Sequence, residues 1–203
     1  MSEFIKELYY IVAIENIPSV LRHGILSYDM AMRLRHVSVA NREVQGRRAN
    51  KKVPNGLSLH SYVNLYLNAR NPMLYTLMCN GSDDICILKL ENRLIEFPGV
   101  VITDGNAASD WVSFYSLSEA MDKLDLDMIY ARYWTHEDPH EQRRHKSIMC
   151  AEVLVPNIVA AVHINGAYVS CSTSKKCLSE VGFDREIIID GDMFFNRQVR
   201  GRS

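Results

Sequence analysis

Several features that commonly reveal a protein's function are missing from this chain of 203 residues. It has no G-x-G-x-x-G, G-x-x-x-x-G-K-[ST], H-E-x-x-H or G-x-S-x-G motif, so the commonest nucleotide, zinc and serine-hydrolase sites lack their signatures. Its five cysteines form no C-x-x-C pair, and their odd number fits reduced thiols better than a disulfide framework. We therefore expect no metal site, and any chemistry must rest on residues scattered along the chain.

Long apolar runs and a strong charge excess are also missing. Charged residues interrupt the N-terminal segment MSEFIKELYYIVAIENIPSVL, and no apolar run is long enough to cross a bilayer, so we expect no signal peptide and no membrane partner. The expected location is the cytoplasm. The formal net charge is −1, so a surface that binds nucleic acid would have to be a local patch.

Two segments could supply such a patch. Residues 33–52 carry seven arginines and lysines against one glutamate, and residues 136–146, HEDPHEQRRHK, carry three more basic side chains. Guanidinium groups bind phosphates through two parallel hydrogen bonds, which favours a phosphate-binding surface. The alternative for both segments is a solvated surface loop, and the second segment is predicted to be a loop in either case.

The hydrophobic pattern predicts an α+β fold with mixed or antiparallel sheets and short flanking helices, in a single domain over residues 1–203. A helix at ENIPSVLRHG should end with Gly24 in a left-handed conformation, and Ser116 with Glu119 forms a capping box at the start of a longer helix over 116–134. Strands are expected at 8–12, 85–90 and 99–104, and in the late segments AEVLV, IVAAVHI and EIIID.

Glu152 lies inside the apolar run AEVLV. An ionised carboxylate costs roughly several kcal/mol to bury unless it is paired. The simplest interpretation is an edge strand with one solvated side chain. The other is a carboxylate in a cleft, where it could stabilise a developing cation or accept a proton. A dinucleotide with a cleavable glycosidic bond would require both such a carboxylate and a basic patch.

Five segments carry a resemblance: LYYIVAIENIPSVLRHGIL, GRRANKKVP, LHSYVNLYLNARNPMLY, VITDGNAAS and AEVLVP. In order and approximate spacing they resemble the DarT family of DNA ADP-ribosyltransferases over residues 8–156. The resemblance implies an ADP-ribosyltransferase-like fold and an enzyme that transfers ADP-ribose from NAD⁺ to a base of single-stranded DNA, guanine or thymine. It also implies a toxin paired with an antitoxin, a macrodomain or related hydrolase, that removes the mark.

The resemblance assigns roles residue by residue. Glu152 matches the catalytic glutamate, and Arg48 matches the arginine beside it. Tyr66 matches an aromatic residue of the nicotinamide pocket, and Asn16 matches an asparagine that contacts NAD⁺. Tyr10 stands where many members have a histidine that holds a ribose of NAD⁺; its hydroxyl could make a similar hydrogen bond, and the substitution favours guanine as the acceptor.

Phosphate contacts to DNA are predicted from four basic residues: Arg47, Arg143, Arg144 and Lys146. Two other functions remain open. A nucleic-acid-binding module without catalysis would use Tyr62, Tyr66 and Trp134 for stacking and would not require NAD⁺. An ADP-ribosyltransferase that acts on RNA or protein would share the NAD⁺ site and differ only in its acceptor.

Overall fold

The computed structural model describes residues 5–82 and 84–196. Its strands are β1 (Glu7–Ala13), β2 (Ile25–Leu26), β3 (Tyr62–Tyr66), β4 (Ile85–Glu91), β5 (Val101–Thr103), β6 (Phe114–Tyr115), β7 (Glu152–Pro156), β8 (Ile158–Val159), β9 (Ile164–Val169) and β10 (Glu186–Ile189). Its helices are α1 (Ile17–His23), α2 (Tyr28–Ala31), α3 (Arg42–Ala49), α4 (Pro72–Cys79), α5 (Leu117–Lys123), α6 (Leu126–Ile129), α7 (Pro139–Ile148) and α8 (Ser172–Glu180). Short 3₁₀ turns occur at Ile14–Asn16, Leu59–Ser61, Asn92–Glu96 and Ala161–His163.

Eight of the strands form one mixed sheet in the order β10-β9-β4-β1-β3-β7-β5-β6. Strands β9 and β10 run parallel, and the other neighbouring strands in this order pair antiparallel. Strands β2 and β8 form a separate antiparallel pair. The predicted α+β class with a mixed sheet is confirmed. Strand β7 lies between β3 and β5, so it is an interior strand.

The two faces of β7 pack differently. Val153 and Val155 lie in the large core cluster together with Leu65 and Leu88 of neighbouring strands. Leu154 points the other way, into a smaller cluster. Fully burying a valine or leucine side chain contributes about 1.5–3 kcal/mol, so this alternation fixes the register of β7 and with it the face on which Glu152 lies.

The predicted loop at residues 136–146 is wrong for most of its length, because α7 begins within it. Asp138 caps this helix by accepting a hydrogen bond from the backbone NH of His140, and Pro139 occupies the first turn, where its missing NH costs nothing. Its other residues are mainly good helix formers. The segment is charged and contains proline, which is typical of a loop, so the start of the helix was not predicted.

The predicted long helix over 116–134 is two short helices. The capping box of Ser116 and Glu119 is confirmed at the start of α5. Leu124 then adopts an extended conformation with ψ 131°, and Asp125 caps α6 by accepting a hydrogen bond from the NH of Met128. Aspartate is strongly preferred at the N-cap of a helix, so a new helix begins after Asp125 and the predicted long helix is interrupted.

Two further expectations hold only in part. The segment IVAAVHI is not one strand: it contains β8, a 3₁₀ turn and the first residue of β9. Gly24 does end α1 with a positive φ of 81°, but its ψ of 179° is not that of the left-handed helical region. A Cβ atom at this position would lie 2.5 Å from the carbonyl oxygen of Val159, so the close approach of β8 also requires glycine.

Candidate active site

Glu152 is the first residue of β7 and is 1% exposed. It pairs with Tyr66 of β3 in the antiparallel ladder. Its backbone NH donates a hydrogen bond to Thr103 Oγ1 at the end of β5, at 2.9 Å. The edge-strand interpretation with a solvated side chain is therefore wrong, and the carboxylate is buried.

Three hydrogen bonds compensate for this burial. Arg48 Nη1 donates to both carboxylate oxygens of Glu152, at 3.1 and 2.9 Å, and the backbone NH of Ala107 donates to Oε1 at 3.1 Å. Arg48 is itself only 4% exposed. A buried ion pair is tolerated when its geometry and additional hydrogen bonds offset the desolvation of both charges. The pair holds the carboxylate in one position.

Arg48 lies on helix α3, which is part of the basic segment 33–52. Asn41 caps this helix by accepting hydrogen bonds from the NH groups of Glu43 and Val44. The solvated-loop interpretation is wrong for Arg48, whereas Arg33 is exposed as that interpretation expected. Arg48 Nη2 is buried and has no hydrogen-bond partner within the described residues. An unpaired buried donor is costly, so this guanidinium is not fully satisfied by its contacts with Glu152.

The loop after β5 supplies the Ala107 NH. Thr103 Oγ1 donates to the carbonyl of Gly105 at 2.7 Å, and the NH of Asn106 donates to the carbonyl of Ser147 in α7 at 2.9 Å. A Cβ atom at Gly105 would lie 3.0 Å from Ser147 Oγ, so a side chain at this position would crowd α7 and glycine favours the close contact. Sequence reasoning included this segment, TDGNAAS, in the resemblance but assigned it no role.

A cavity of about 1420 Å³ opens in front of this pair. Glu152 and Arg48 line its wall, and so do the predicted cofactor residues Tyr10 and Tyr66. The four predicted DNA-binding residues line the same cavity: Arg47, Arg143, Arg144 and Lys146. The structure thus brings together eight residues from five separate segments of the chain. Their individual roles stay predictions.

The two tyrosines differ in their contacts. The Tyr66 hydroxyl donates to Met73 Sδ at 2.8 Å. Burial, and after it the charge of Glu152, raises the pKa of Tyr66 well above its usual value, so it stays neutral. The Tyr10 hydroxyl makes no hydrogen bond to any residue that the structure describes, and burial raises the pKa of Tyr10 as well. The Tyr10 side chain packs against the large core cluster and also lines the cavity.

Asn16 occupies a different position from the other predicted site residues. Its side-chain amide donates to the carbonyl of Val37 at 2.7 Å and accepts from the NH of Val37 at 2.9 Å. It is absent from the cavity wall, whereas residues 37–41 form part of that wall. Asn16 thus positions a wall segment, and its direct contact with NAD⁺ stays a prediction.

Two of the three aromatic residues proposed for stacking, Tyr62 and Trp134, do not face the cavity, whereas Tyr66 does. Tyr62 is buried in the small cluster beside Leu154, and Trp134 contacts Tyr75 and Phe195. Neither lines the cavity. Sequence reasoning missed Trp111, which does line it and is 93% exposed.

Residues 5–82 and 84–196 contain no group of three or more histidine, cysteine, aspartate or glutamate side chains that could hold a metal ion. None of the helices in these ranges has the length and apolar character needed to traverse a bilayer.

The mixed sheet with a buried, arginine-paired glutamate at the wall of a large cavity has the ADP-ribosyltransferase-like architecture that the sequence predicted. The chain belongs to the DarT family, because the family's sequence profile, described as "ssDNA thymidine ADP-ribosyltransferase, DarT", matches residues 9–195. The predicted family and fold are confirmed.

Curated and solved relatives support the same assignment. A DNA ADP-ribosyl transferase-DNA ADP-ribosyl glycohydrolase fusion protein of Thermosipho africanus is 32% identical over an alignment that covers 95% of this chain and 55% of the relative. The chain therefore spans about half the length of that protein. The structure of Thermosipho africanus DarTG in complex with ADP-ribose aligns with a TM-score of 0.83 at 32% identity, covering 95% of this chain and 52% of the other.

The structure of Thermus sp. 2.9 DarT in complex with ADP-ribosylated ssDNA aligns with a TM-score of 0.79 at 26% identity, covering 93% of this chain and 96% of the other. The same Thermus protein in complex with NAD⁺ aligns with a TM-score of 0.74 at 25% identity, covering 93% of this chain and 97% of the other.

Proposed function

We propose that this chain is an NAD-dependent DNA ADP-ribosyltransferase that attaches ADP-ribose to a base of single-stranded DNA. The observation that carries the proposal is the carboxylate of Glu152, buried and held by Arg48 and the Ala107 NH at the wall of a cavity with a basic side. Family membership and the Thermus DarT complexes with NAD⁺ and with ADP-ribosylated ssDNA support it.

The chemistry of the cavity wall fits NAD⁺. Typical small-ligand pockets measure about 300–1,000 Å³, and this cavity, at about 1420 Å³, has room for a dinucleotide and an acceptor nucleotide. Arg48 and Glu152 contribute charged groups to this wall, and Tyr10 and Tyr66 contribute aromatic side chains. The cationic side chains at the rim complement phosphates.

Bound NAD⁺ supplies an ADP-ribosyl group joined to nicotinamide through a glycosidic bond. Glu152 lies where a fixed negative charge can stabilise the positive charge that develops on the sugar as this bond breaks. Because Arg48 and Ala107 already hold the carboxylate, little reorganisation is needed during the reaction. Such preorganised groups typically contribute about 3–4 kcal/mol, a rate factor of roughly a hundred or more.

Glu152 has a second task. A base nitrogen that carries a hydrogen is a weak nucleophile, so a proton must leave it as the new glycosidic bond forms. The Glu152 carboxylate is the buried acceptor at the site, and it can take this proton once the charge on the sugar is lost. Arg48 keeps the carboxylate oriented throughout, since its Nη1 contacts both oxygens.

Helices α3 and α7 contribute basic side chains to the cavity wall, which also carries acidic side chains from other elements. Arg143, Arg144 and Lys146 on α7 and Arg47 on α3 would bind the phosphates of a single strand, whose bases reach a pocket without the cost of unpairing a duplex. We propose thymine as the acceptor base, because the family description names thymidine. Guanine, which Tyr10 favours, is the alternative.

The biological setting is also proposed from the relatives. The Thermosipho relative joins a DNA ADP-ribosyl transferase to a DNA ADP-ribosyl glycohydrolase. We infer that the present chain acts in the cytoplasm as a toxin whose mark is removed by an antitoxin of the same hydrolase kind, of macrodomain or related fold.

Mass spectrometry tests the proposal. Single-stranded DNA oligonucleotides of mixed sequence, matched RNA oligonucleotides and a protein mixture are incubated with the enzyme and NAD⁺. We expect one ADP-ribose on a base of the DNA only, and fragmentation identifies the base. Modification of RNA or protein in place of DNA would contradict the proposed acceptor, and binding of DNA without any modification would favour the non-catalytic module.

A further inference from the structure

Trp111 is a large aromatic side chain in an unusual position. It is 93% exposed and lines the cavity that contains Glu152. Tryptophan is highly buried on average in folded proteins, because its ring contributes a large apolar area. A tryptophan left exposed at the rim of a ligand cavity is available to a ligand with a flat apolar face.

The loop that carries Trp111 is held at several points. Lys51 Nζ donates to the carbonyl of Ser109 at 2.5 Å and forms an ion pair with Asp110 at 3.0 Å. The Trp111 NH donates to Ser109 Oγ at 3.4 Å, and the NH of Ser113 donates to Asp104 Oδ1 at 2.9 Å. The indole ring is therefore presented from an anchored backbone.

The same loop also contacts the reacting carboxylate. Ala107, four positions before Trp111, donates its NH to Glu152. The chain between them is short, so the loop fixes the position of Trp111 relative to Glu152. A base seated on the indole ring and a base that reaches Glu152 would belong to the same short stretch of a single strand.

The wall of the cavity that Trp111 lines carries both acidic and basic side chains, and the basic group on α7 is suited to a ligand with phosphates. The adjacent carboxylate of Asp110 is paired with Lys51, and the cavity wall contributes Arg143, Arg144 and Lys146 from α7. Proteins bind single-stranded nucleic acid by combining a basic groove for the backbone with aromatic rings on which bases stack. Cavity and loop together offer both.

We propose that Trp111 is the stacking residue for a base of single-stranded DNA and positions the acceptor strand at Glu152. This inference rests on the proposed function and extends it. It assigns binding of the acceptor strand to a residue that the family resemblance did not predict as a site residue. Trp111 contacts the acceptor strand and takes no part in bond breaking.

The first arm of the test measures DNA binding by fluorescence anisotropy with a labelled single-stranded oligonucleotide, without NAD⁺ so that no transfer occurs. Stacking energies measured by alanine substitution predict that Trp111→Ala weakens binding by about 5- to 150-fold. Trp111→Phe should retain most of the affinity. The salt dependence of binding should keep its slope, because no phosphate contact is lost.

Tyr133→Ala is the matched control. Tyr133 is 67% exposed but does not line the cavity, so its removal should leave DNA affinity unchanged. Selectively excited tryptophan fluorescence gives an independent reading, since the chain has two tryptophans and a Trp134→Phe variant leaves Trp111 as the only one. Single-stranded DNA should quench this emission, and an unquenched signal at saturating DNA would overturn the proposal.

The second arm measures transfer. Trp111→Ala should raise KM for DNA by a factor similar to the loss of affinity, leave kcat nearly unchanged and leave NAD⁺ affinity by calorimetry unchanged. Unchanged KM and unchanged DNA affinity in Trp111→Ala would overturn the proposal while the proposed function stands. A loss confined to RNA oligonucleotides would also overturn it. A different outcome is that the unmodified protein binds DNA in a way that depends on Trp111 but transfers no ADP-ribose. That outcome would contradict the proposed function alone.

Discussion

The ion pair of Arg48 and Glu152 links stability to function at the scale of single residues. Both side chains are nearly inaccessible to solvent, and the chain between them is long. Removing one member of a buried pair leaves the other charge desolvated and unpaired. The site residues are therefore expected to interact strongly in their effects on stability.

Arg48→Ala tests this coupling. We expect it to lower the free energy of unfolding by about 3–5 kcal/mol, because the Glu152 carboxylate stays buried without its partner. The double variant Arg48→Ala with Glu152→Gln should be more stable than Arg48→Ala alone, since it removes the unpaired charge. Urea denaturation measures the unmodified protein, the single variants Arg48→Ala and Glu152→Gln, and the double variant, with the exposed Arg42→Ala on the same helix as control. Additive losses in the double variant would show that the two side chains are not coupled.

Tyr10 gives a second prediction at this scale. If its hydroxyl holds a ribose of NAD⁺, Tyr10→Phe should weaken NAD⁺ binding by about 0.5–1.5 kcal/mol, the net value of one neutral hydrogen bond. Tyr10→His should largely restore the affinity. Calorimetric titration with NAD⁺ measures both variants, and Tyr168→Phe is the control, because that hydroxyl donates to Glu7 and does not line the cavity. Unchanged NAD⁺ affinity in Tyr10→Phe would remove Tyr10 from the site.

At the scale of elements, helix α7 carries both a buried histidine that holds it in place and basic side chains that line the cavity. His145 is 5% exposed, and its Nε2 lies 3.0 Å from the carbonyl oxygen of Met128 while its Nδ1 lies 2.7 Å from Nε2 of His136. Other residues of the same helix line the cavity, among them Arg143 and Lys146. The buried histidine fixes the orientation of the helix, and this orientation directs the basic side chains to the cavity.

The basic side of α7 should control DNA binding. Replacing Arg143, Arg144 and Lys146 by alanine should weaken binding to single-stranded DNA and lower the slope of log affinity against log salt by about 0.7 for each lost phosphate contact. NAD⁺ affinity should change little. A matched control removes the same charge from residues outside the cavity wall, with Lys175, Lys176 and Arg185 changed to alanine. Equal slopes in the two triple variants would identify the α7 residues as a solvated surface.

The elements also show where sequence reasoning succeeded. The strands at 8–12 and 85–90 and the capping box at Ser116 have clear local signals, and the structure contains all of them. The start of α7 depends on one aspartate cap within a charged segment, and the break between α5 and α6 depends on another. Aspartate can either cap a helix or stabilise a turn. The sequence alone therefore did not decide between helix and loop at these two places.

At the scale of the whole molecule, the family segments predicted four site residues that are separated in sequence. The fold brings these four, Glu152, Arg48, Tyr10 and Tyr66, to one cavity. The spacing of residues along the chain could not show that Arg48 and Glu152 pair across 104 positions. Nor could side-chain identity reveal the NH of Ala107, because any residue except proline carries that donor.

Trp111 was missed for a related reason. A tryptophan in a loop between two strands has no periodic pattern, and its exposure depends on how residues 104–113 fold back against Lys51. The assignment of Asn16 illustrates the opposite case, since a residue matched to the cofactor site holds the wall segment at Val37 instead of lining the cavity. Contacts of this kind follow from the tertiary structure.

The central claim is that Glu152 performs the transfer of ADP-ribose to DNA. The most direct test incubates a single-stranded oligonucleotide with NAD⁺ and either the unmodified protein or Glu152→Gln. Mass spectrometry then measures the modified DNA. The variant keeps the shape of the side chain and removes its negative charge, and a thermal melt verifies that it is folded. We expect ADP-ribosylated DNA from the unmodified protein and a rate lower by roughly a hundredfold or more from the variant. Equal rates of DNA modification by the two proteins would contradict the account.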